Sequence, residues 1–454
     1  MSYTSLAVAG QEDLIFGDAH APLHCGFDLT IGGGEVYPEI NFTLPTMSID
    51  ATTWGEVVRQ YREIGEMITR AARRLHLGGL VVEFELLPPM TEHPEWGAEV
   101  TALLSTQLQE AYESFGLHSA LRVTPTDIRD AARPPLLRSG KEWETLSRSL
   151  AACAASGAHI LSIESVGGKE VHDEALMYGD VRGIIFALGV LAPRDMRMLW
   201  EEIVRICSVH HVVPGADSAC GFANTAMQLA SQSMLPEVLA SVIRAASSIR
   251  SLVAFECGAK GPSKDCAYEG PVIKAITGFP ISMEGKSASC AHFSPLGNIA
   301  GAMCDLWSNE SVQNVRLLSG YAPEAFVELL AYDCRVFNQS RQSGLARAYR
   351  DVLVQSDLRF SPQALMLSPA ATIRIASAIV RETTPYRRTV AAAREACAII
   401  RENMGDSLPL NQRECDWLTR IERELARLPD DEERLLGEMV DVYGSRFCRE
   451  SYGL

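Results

Sequence analysis

The chain has 454 residues, of which 47% are hydrophobic and 22% charged, and its formal net charge is −16. A surface this acidic repels phosphate backbones and anionic headgroups, which argues against nucleic-acid and membrane-surface binding. Residues 1–17 hold Glu12 and Asp13 and no base, so the n-region of a signal peptide is missing, and the longest apolar stretch, 184–191, is far short of a membrane span. A cytoplasmic protein is expected.

Residues 1–50 are rich in Gly, Pro and Asp and read as an N-terminal extension. Gly32-Gly-Gly34 lacks the strand–GxGxxG–helix setting of a dinucleotide site and predicts a tight turn. Residues 54–77 are helical, with Val57, Val58, Tyr61, Ile64, Met67 and Ile68 on one face. Residues 78–87 follow as a buried strand, 97–115 as a helix, 120–124 as a strand and 141–156 as a helix leading into the strand that ends at Glu164. An apolar strand over 181–188, a helix over 195–209 and a short strand before Cys220 continue the alternation. A helix over 235–249, a strand junction before Cys266 and a last strand within 276–284 complete it.

Strand–helix alternation over roughly 230 residues is the signature of a parallel α/β sheet, and seven or eight strands favour a (β/α)8 barrel over an open doubly wound sheet. The barrel is assigned to 51–293. Residues 294–454 read as a helical layer packed on it, with helices over 298–307, 324–338, 344–355, 362–380, 389–401 and 411–428, and a last one capped by Asp430 or Asp431.

In a parallel barrel, reactive groups sit at the C-terminal strand ends. That face would carry Glu83, Glu85, Thr124, Asp127, Glu164, Asp217, Cys220, Glu256, Cys257 and Cys266. So many acidic groups need a metal ion or cationic side chains beside them. Glu164, Cys220 and Cys266 suit zinc: two thiolates and a carboxylate leave a fourth tetrahedral position open, and soft donors disfavour magnesium or calcium. No CxxC or HExxH spacing singles them out, so buried structural thiols stay open as the alternative, as they are for Cys153, Cys207, Cys397 and Cys415 inside helical patterns. Ser289-Cys290-Ala291-His292 offers a thiol beside an imidazole, read as a rim element. Glu83 and Glu85 alternate with apolar residues and can both face inward, for proton transfer or for a salt bridge to Arg122. His210-His211 caps a helix end.

At these residues the sequence resembles the zinc-containing methanol:corrinoid methyltransferases. The likeness runs through Trp96-Gly-Ala-Glu-Val100, Glu164-Ser-Val-Gly-Gly-Lys-Glu-Val171, Ala223-Asn-Thr-Ala-Met227, Gly261-Pro-Ser-Lys-Asp-Cys-Ala-Tyr-Glu269, Val272-Ile-Lys-Ala-Ile-Thr-Gly278, Ser282-Met-Glu-Gly-Lys286, Cys290-Ala-His292 and Leu306-Trp-Ser-Asn-Glu-Ser311. The resemblance implies a (β/α)8 barrel with one zinc ion per chain on Glu164, Cys220 and Cys266. It also implies transfer of methanol's methyl group to cob(I)alamin carried by a partner corrinoid protein. Glu85 or Asp217 is the expected proton-handling residue, and a homodimer within a larger complex the expected assembly. The corrinoid motif Asp-x-His-x-x-Gly has only a partial match at Asp18-Ala-His20-Ala-Pro-Leu23, read as an irregular loop, so this chain alone should bind no cobalamin. Departures from the family pattern cluster near the ligands: Asp217-Ser-Ala-Cys220, Leu86 after Glu85, and Cys257 in place of alanine. A zinc hydrolase or lyase, another methyl donor, and a structural zinc closed by Cys257 are the alternatives.

Overall fold

Seven strands run parallel in one sheet: β3 (Tyr37–Thr43), β4 (Gly79–Leu86), β5 (His118–Pro125), β6 (Ile160–Ile163), β7 (Val213–Asp217), β8 (Ser282–Glu284) and β9 (Leu306–Val312), in the order β7-β6-β5-β4-β3-β9-β8. The structure is a computed structural model, and it describes residues 2–264, 266, 268–291, 296–317 and 320–454. Pairing of β9 with β3 joins the last strand to the first, and the sheet curls into a ring. Between its free ends, β7 and β8, runs the segment 259–264. The Lys260 N–H donates to the Pro214 carbonyl on β7 at 2.8 Å. Gly261, at φ +72°, lies so close to Pro280 that a Cβ would stand 2.5 Å from the Pro280 carbonyl oxygen, so only glycine fits. The architecture is the expected (β/α)8 type, with an irregular segment in the eighth place.

Helices follow the strands as the alternation requires: Trp54–Arg74, Pro94–Phe115, Lys141–Ala155, Ala192–His210 and Glu237–Cys257 among them. In Trp54–Arg74 the buried residues Val57, Tyr61, Ile64, Ile68 and Ala71 recur at helical spacing and face the sheet core with Ile40, Phe42, Val82 and Phe84. The sheet also takes in β3 and β9, which lie outside the expected span 51–293, and the helix Ala322–Gln342 after β9 packs back on both.

Some local expectations are corrected. Residues 181–188 are not a strand but the helix Val181–Phe186, capped by the Asp180 side chain and running into a wider π-turn at Ala187–Leu191. Every residue of the run except Arg182 is buried, so its apolarity carries no period. The helix Glu237–Cys257 continues through the stretch read as a strand before Cys266. It is also long and apolar enough to cross a membrane, longer than the 184–191 run, but it is buried throughout as a core helix. Residues 298–307 are only a short helix, Gly297–Gly301, followed by β9. The last strand is confined to Ser282–Glu284, because Ile276 and Thr277 end the helix Gly270–Thr277.

Residues 18–23, read as an irregular loop, belong instead to β1 (Asp18–Cys25), which forms an antiparallel hairpin with β2 (Leu29–Gly33), where Gly32 and Gly33 of the expected tight turn lie. The hairpin plugs the N-terminal end of the ring. Leu23, Cys25, Leu29 and Ile31 pack against Val81, Ala120, Ile160 and Leu306. At its tip, Phe27 and Ser119 exchange backbone hydrogen bonds of 2.7 and 3.2 Å. The interior thus changes character along its axis: apolar at the floor, then Glu39 and Arg122 paired at 2.9 Å, then Glu83 and Lys264, then the mouth.

The remaining helices, from Ala346–Asp357 to Glu432–Tyr443, pack mostly on Glu237–Cys257 and its neighbours. All but Ala346–Asp357 start at a side-chain cap: Ser361, Ser368, Thr384, Asn411 and Asp431 each accept a first-turn N–H. Asp431, rather than Asp430, caps the last one.

Candidate metal centre

Three expected ligands meet at the mouth. Glu164 follows β6 and bridges Thr126 beyond β5. Cys220 opens the turn of π-helix Cys220–Asn224 after β7. Cys266 sits just past the irregular segment that fills the eighth place. One donor atom from each lies within 4.8 Å of the others, and among the described residues no further His, Cys, Asp or Glu joins the group. The Cys266 thiol donates to Glu164 Oε1 at 3.1 Å and lies 3.1 Å from Ser218 Oγ, while Asn224 Nδ2 donates to Cys220 Sγ at 3.7 Å.

The loops that carry these donors are tied to one another. Arg250, fully buried on the helix Glu237–Cys257, donates to the Ser218 carbonyl at 2.6 Å and to the Ser165 carbonyl at 3.4 Å, and so joins the residue after Glu164 to the loop before Cys220. Asp217 holds that arginine at 3.2 Å and accepts from Ser165 N–H and the Trp200 indole. Glu269 Oε1 accepts from the Ala219 N–H at 2.7 Å and the Ser251 hydroxyl at 2.6 Å, fastening the Cys220 loop to the Cys266 loop. Losing one partner of a fully buried pair such as Asp217–Arg250 costs about 3–5 kcal/mol, so these ties are stiff.

Cationic side chains meet most of the other acids. Asp127 and Asp195 share Arg129, at 2.7 Å each, and Glu256 lies on a helix with Arg388 at 2.7 Å and Arg197 at 3.3 Å. Glu83 and Glu85 both point inward and meet Lys264 Nζ at 3.2 and 2.7 Å, with Glu164 at 3.7 Å. Arg122, the other partner considered for them, donates to Glu39, to Ser162 and to the carbonyls of Pro262 and Ser263. What remains is the pair of thiols. A hydrogen bond from Cys266 pulls the Cys220 thiol down, but burial and the Glu164 and Glu284 charges outweigh it and leave it at about 12. Burial, then hydrogen bonding and charge from Cys220, then Glu164, push Cys266 well above the usual thiol range. A dication among them would favour ionisation of both thiols. Sulfur, sulfur and oxygen, with one tetrahedral place left, suit zinc.

A family model for the methanol-cobalamin methyltransferase B subunit (MtaB) matches residues 1–453. The chain belongs to that family. It is 35% identical to the methanol–corrinoid protein co-methyltransferase of Methanosarcina barkeri (strain Fusaro / DSM 804), over 99% of both chains. It also superposes on a chain of the crystal structure of the methanol:cobalamin methyltransferase complex MtaBC from Methanosarcina barkeri, with a TM-score of 0.96, 35% identity and coverage of 100% of this chain and 99% of that one.

Within this member of the methanol-cobalamin methyltransferase B subunits, Glu85 is half-buried at the mouth on Lys264, whereas Asp217 is fully enclosed by Arg250, Ser165 and Trp200. Burial pushes the Asp217 carboxyl up, and Arg250 opposes the push. Cys257 lies elsewhere: its thiol donates to the Arg197 carbonyl at 3.7 Å. Ser289 reaches Tyr268, but the side chains of Cys290 and His292 lie outside the described residues. Sequence reasoning missed Lys264, Arg250 and Glu269. The readable signal for Arg250 was a base inside an otherwise apolar helix; Lys264 and Glu269 flank Cys266 in a quoted stretch.

Proposed function

We propose that this chain transfers the methyl group of methanol to the corrinoid of a partner protein, using one zinc ion held by Glu164, Cys220 and Cys266. The observation that carries the reading is the convergence of those three donors at the mouth of a barrel matched to one family over its whole length. When bound, zinc supplies Lewis acidity that draws charge from the methanol C–O bond.

The overall change is balanced as methanol, a Co(I) corrinoid and one proton giving a methylated corrinoid and water. The C–O bond breaks, and the electron pair of Co(I) becomes the new Co–C bond. Proton handling falls to Glu85: its Oε1 is fixed 2.7 Å from Lys264 Nζ and its side chain reaches the mouth. Asp217 acts as a positioning residue, because through Arg250 it holds the backbone beside Glu164 and before Cys220. The apolar floor closes the far end of the ring, so substrates reach the centre from the mouth. The structural-zinc alternative gains nothing from Cys257, whose thiol is turned to Arg197. The same reading takes the enzyme as a cytoplasmic homodimer bound to its corrinoid partner and itself carrying no cobalamin.

The test is methylation of a Co(I) corrinoid protein, followed by loss of Co(I) absorbance. The zinc-loaded chain should react with methanol and far more slowly with ethanol. A fully zinc-loaded chain that leaves Co(I) untouched in excess methanol would overturn the reading.

A further inference from the structure

Lys264 is 1% exposed and stands among three carboxylates, Glu83, Glu85 and Glu164. Glu83 and Glu85 lie within 3.2 Å of its ammonium and would satisfy a purely structural lysine. Its further reach, 3.7 Å, is to Glu164 Oε1, the same oxygen that accepts the Cys266 thiol. Lys264 and Cys266 ride on one short segment, and that segment is anchored by Arg122, which holds the carbonyls of Pro262 and Ser263 at 3.0 and 2.8 Å. Ligand and counter-charge are therefore placed together.

We propose that Lys264 is a positioning residue that competes with the metal for Glu164 and tempers the negative charge of the centre. The inference rests on the zinc reading above. Among the described residues, with zinc in place and both thiols ionised, Glu83, Glu85, Glu164, Cys220 and Cys266 outweigh the ion by three charges, and Lys264 cancels one. Lys264 is buried while Glu85 and Glu164 are half-buried, and in such a partly enclosed site a single charge a few ångströms from a dication still shifts its affinity by large factors. Removing the lysine makes the centre more anionic. The metal is then held more tightly and polarises its substrate less, so slower zinc loss and slower methyl transfer appear together.

The experiment follows zinc release from the loaded full-length chain to a coloured chelator, beside the methyl-transfer rate. Lys264→Met should release zinc at least about tenfold more slowly than the wild type and turn over more slowly. Glu83→Gln, which removes one negative charge, should release it faster. The double variant E83Q/K264M restores the charge count without restoring the lysine's shape, and should return to within a few-fold of wild-type release. If K264M does not fold, the E83Q and double-variant arms still decide. Release from K264M that is unchanged or faster, release from E83Q no faster than wild type, or a double variant that behaves like neither balance nor rescue overturns the proposal. A wild-type chain that takes up no zinc at all sinks the zinc reading instead.

Discussion

At the residue scale, the centre separates ligands from bystanders by where each thiol points. Cys220→Ser or Cys266→Ser should bring zinc well below one per chain by elemental analysis while the barrel stays folded, because a hydroxyl is a harder and less acidic donor than a thiol. Cys257→Ala should keep its zinc and change stability by less than ~1 kcal/mol, since the thiol is only partly buried and its one described hydrogen bond is a long one to the Arg197 carbonyl. Zinc retained by both serine variants, or lost from C257A, would contradict the assignment. The three donors were legible because each follows a strand or strand-like segment, and the family resemblance picked the two thiols from among twelve cysteines. Lys264 was not legible: one lysine in a loop looks like surface until the ring folds it beneath Glu164. Arg250 and Glu269 escaped for a related reason, since their partners are backbone groups of loops distant in sequence.

At the element scale, the strands β4 to β7, which alternate with readable helices, were found, whereas β3 and β9, outside that alternation, were not. In β9 the buried Ser308 faces the ring while Trp307 packs outward with Phe337, so polarity is reversed relative to a half-exposed strand. The floor hairpin was missed because short strands broken by Gly and Pro leave no period. One element junction there gives a pH signature. His159 Nδ1, just before β6, accepts the Leu121 N–H at 3.0 Å with Phe27 edge-on at 4.8 Å. Burial pulls its pKa from 6.5 to about 4. Between those values the unfolded chain binds more protons than the folded one, so stability is intact above 6.5, falls as pH drops, and has lost this contribution by about 4. His159→Asn keeps an acceptor without the titration and should flatten that slice of the profile. Urea midpoints at several pH values check it; equal acid losses in both proteins would remove His159 as the cause.

At the scale of the whole molecule, the candidate metal centre lies at the mouth of the barrel, and the acceptor in the proposed reaction is a large, flat cofactor. In-line attack needs cobalt held close to the methyl carbon, and a freely tumbling corrinoid has to lose its orientation at every encounter. A corrinoid delivered on its carrier protein should therefore be methylated faster than free cob(I)alamin by orders of magnitude at equal cobalt concentration. Equal rates, or cobalamin co-purifying stoichiometrically with this chain alone, would count against a separate carrier. With a net charge of −16, docking depends on fit and local ion pairs more than on long-range attraction. The hairpin that plugs the other end then fixes a queue. A vessel with one entrance fills in sequence: the small alcohol has to be seated before the bulky acceptor covers the opening, and the water formed leaves only after the acceptor lifts away.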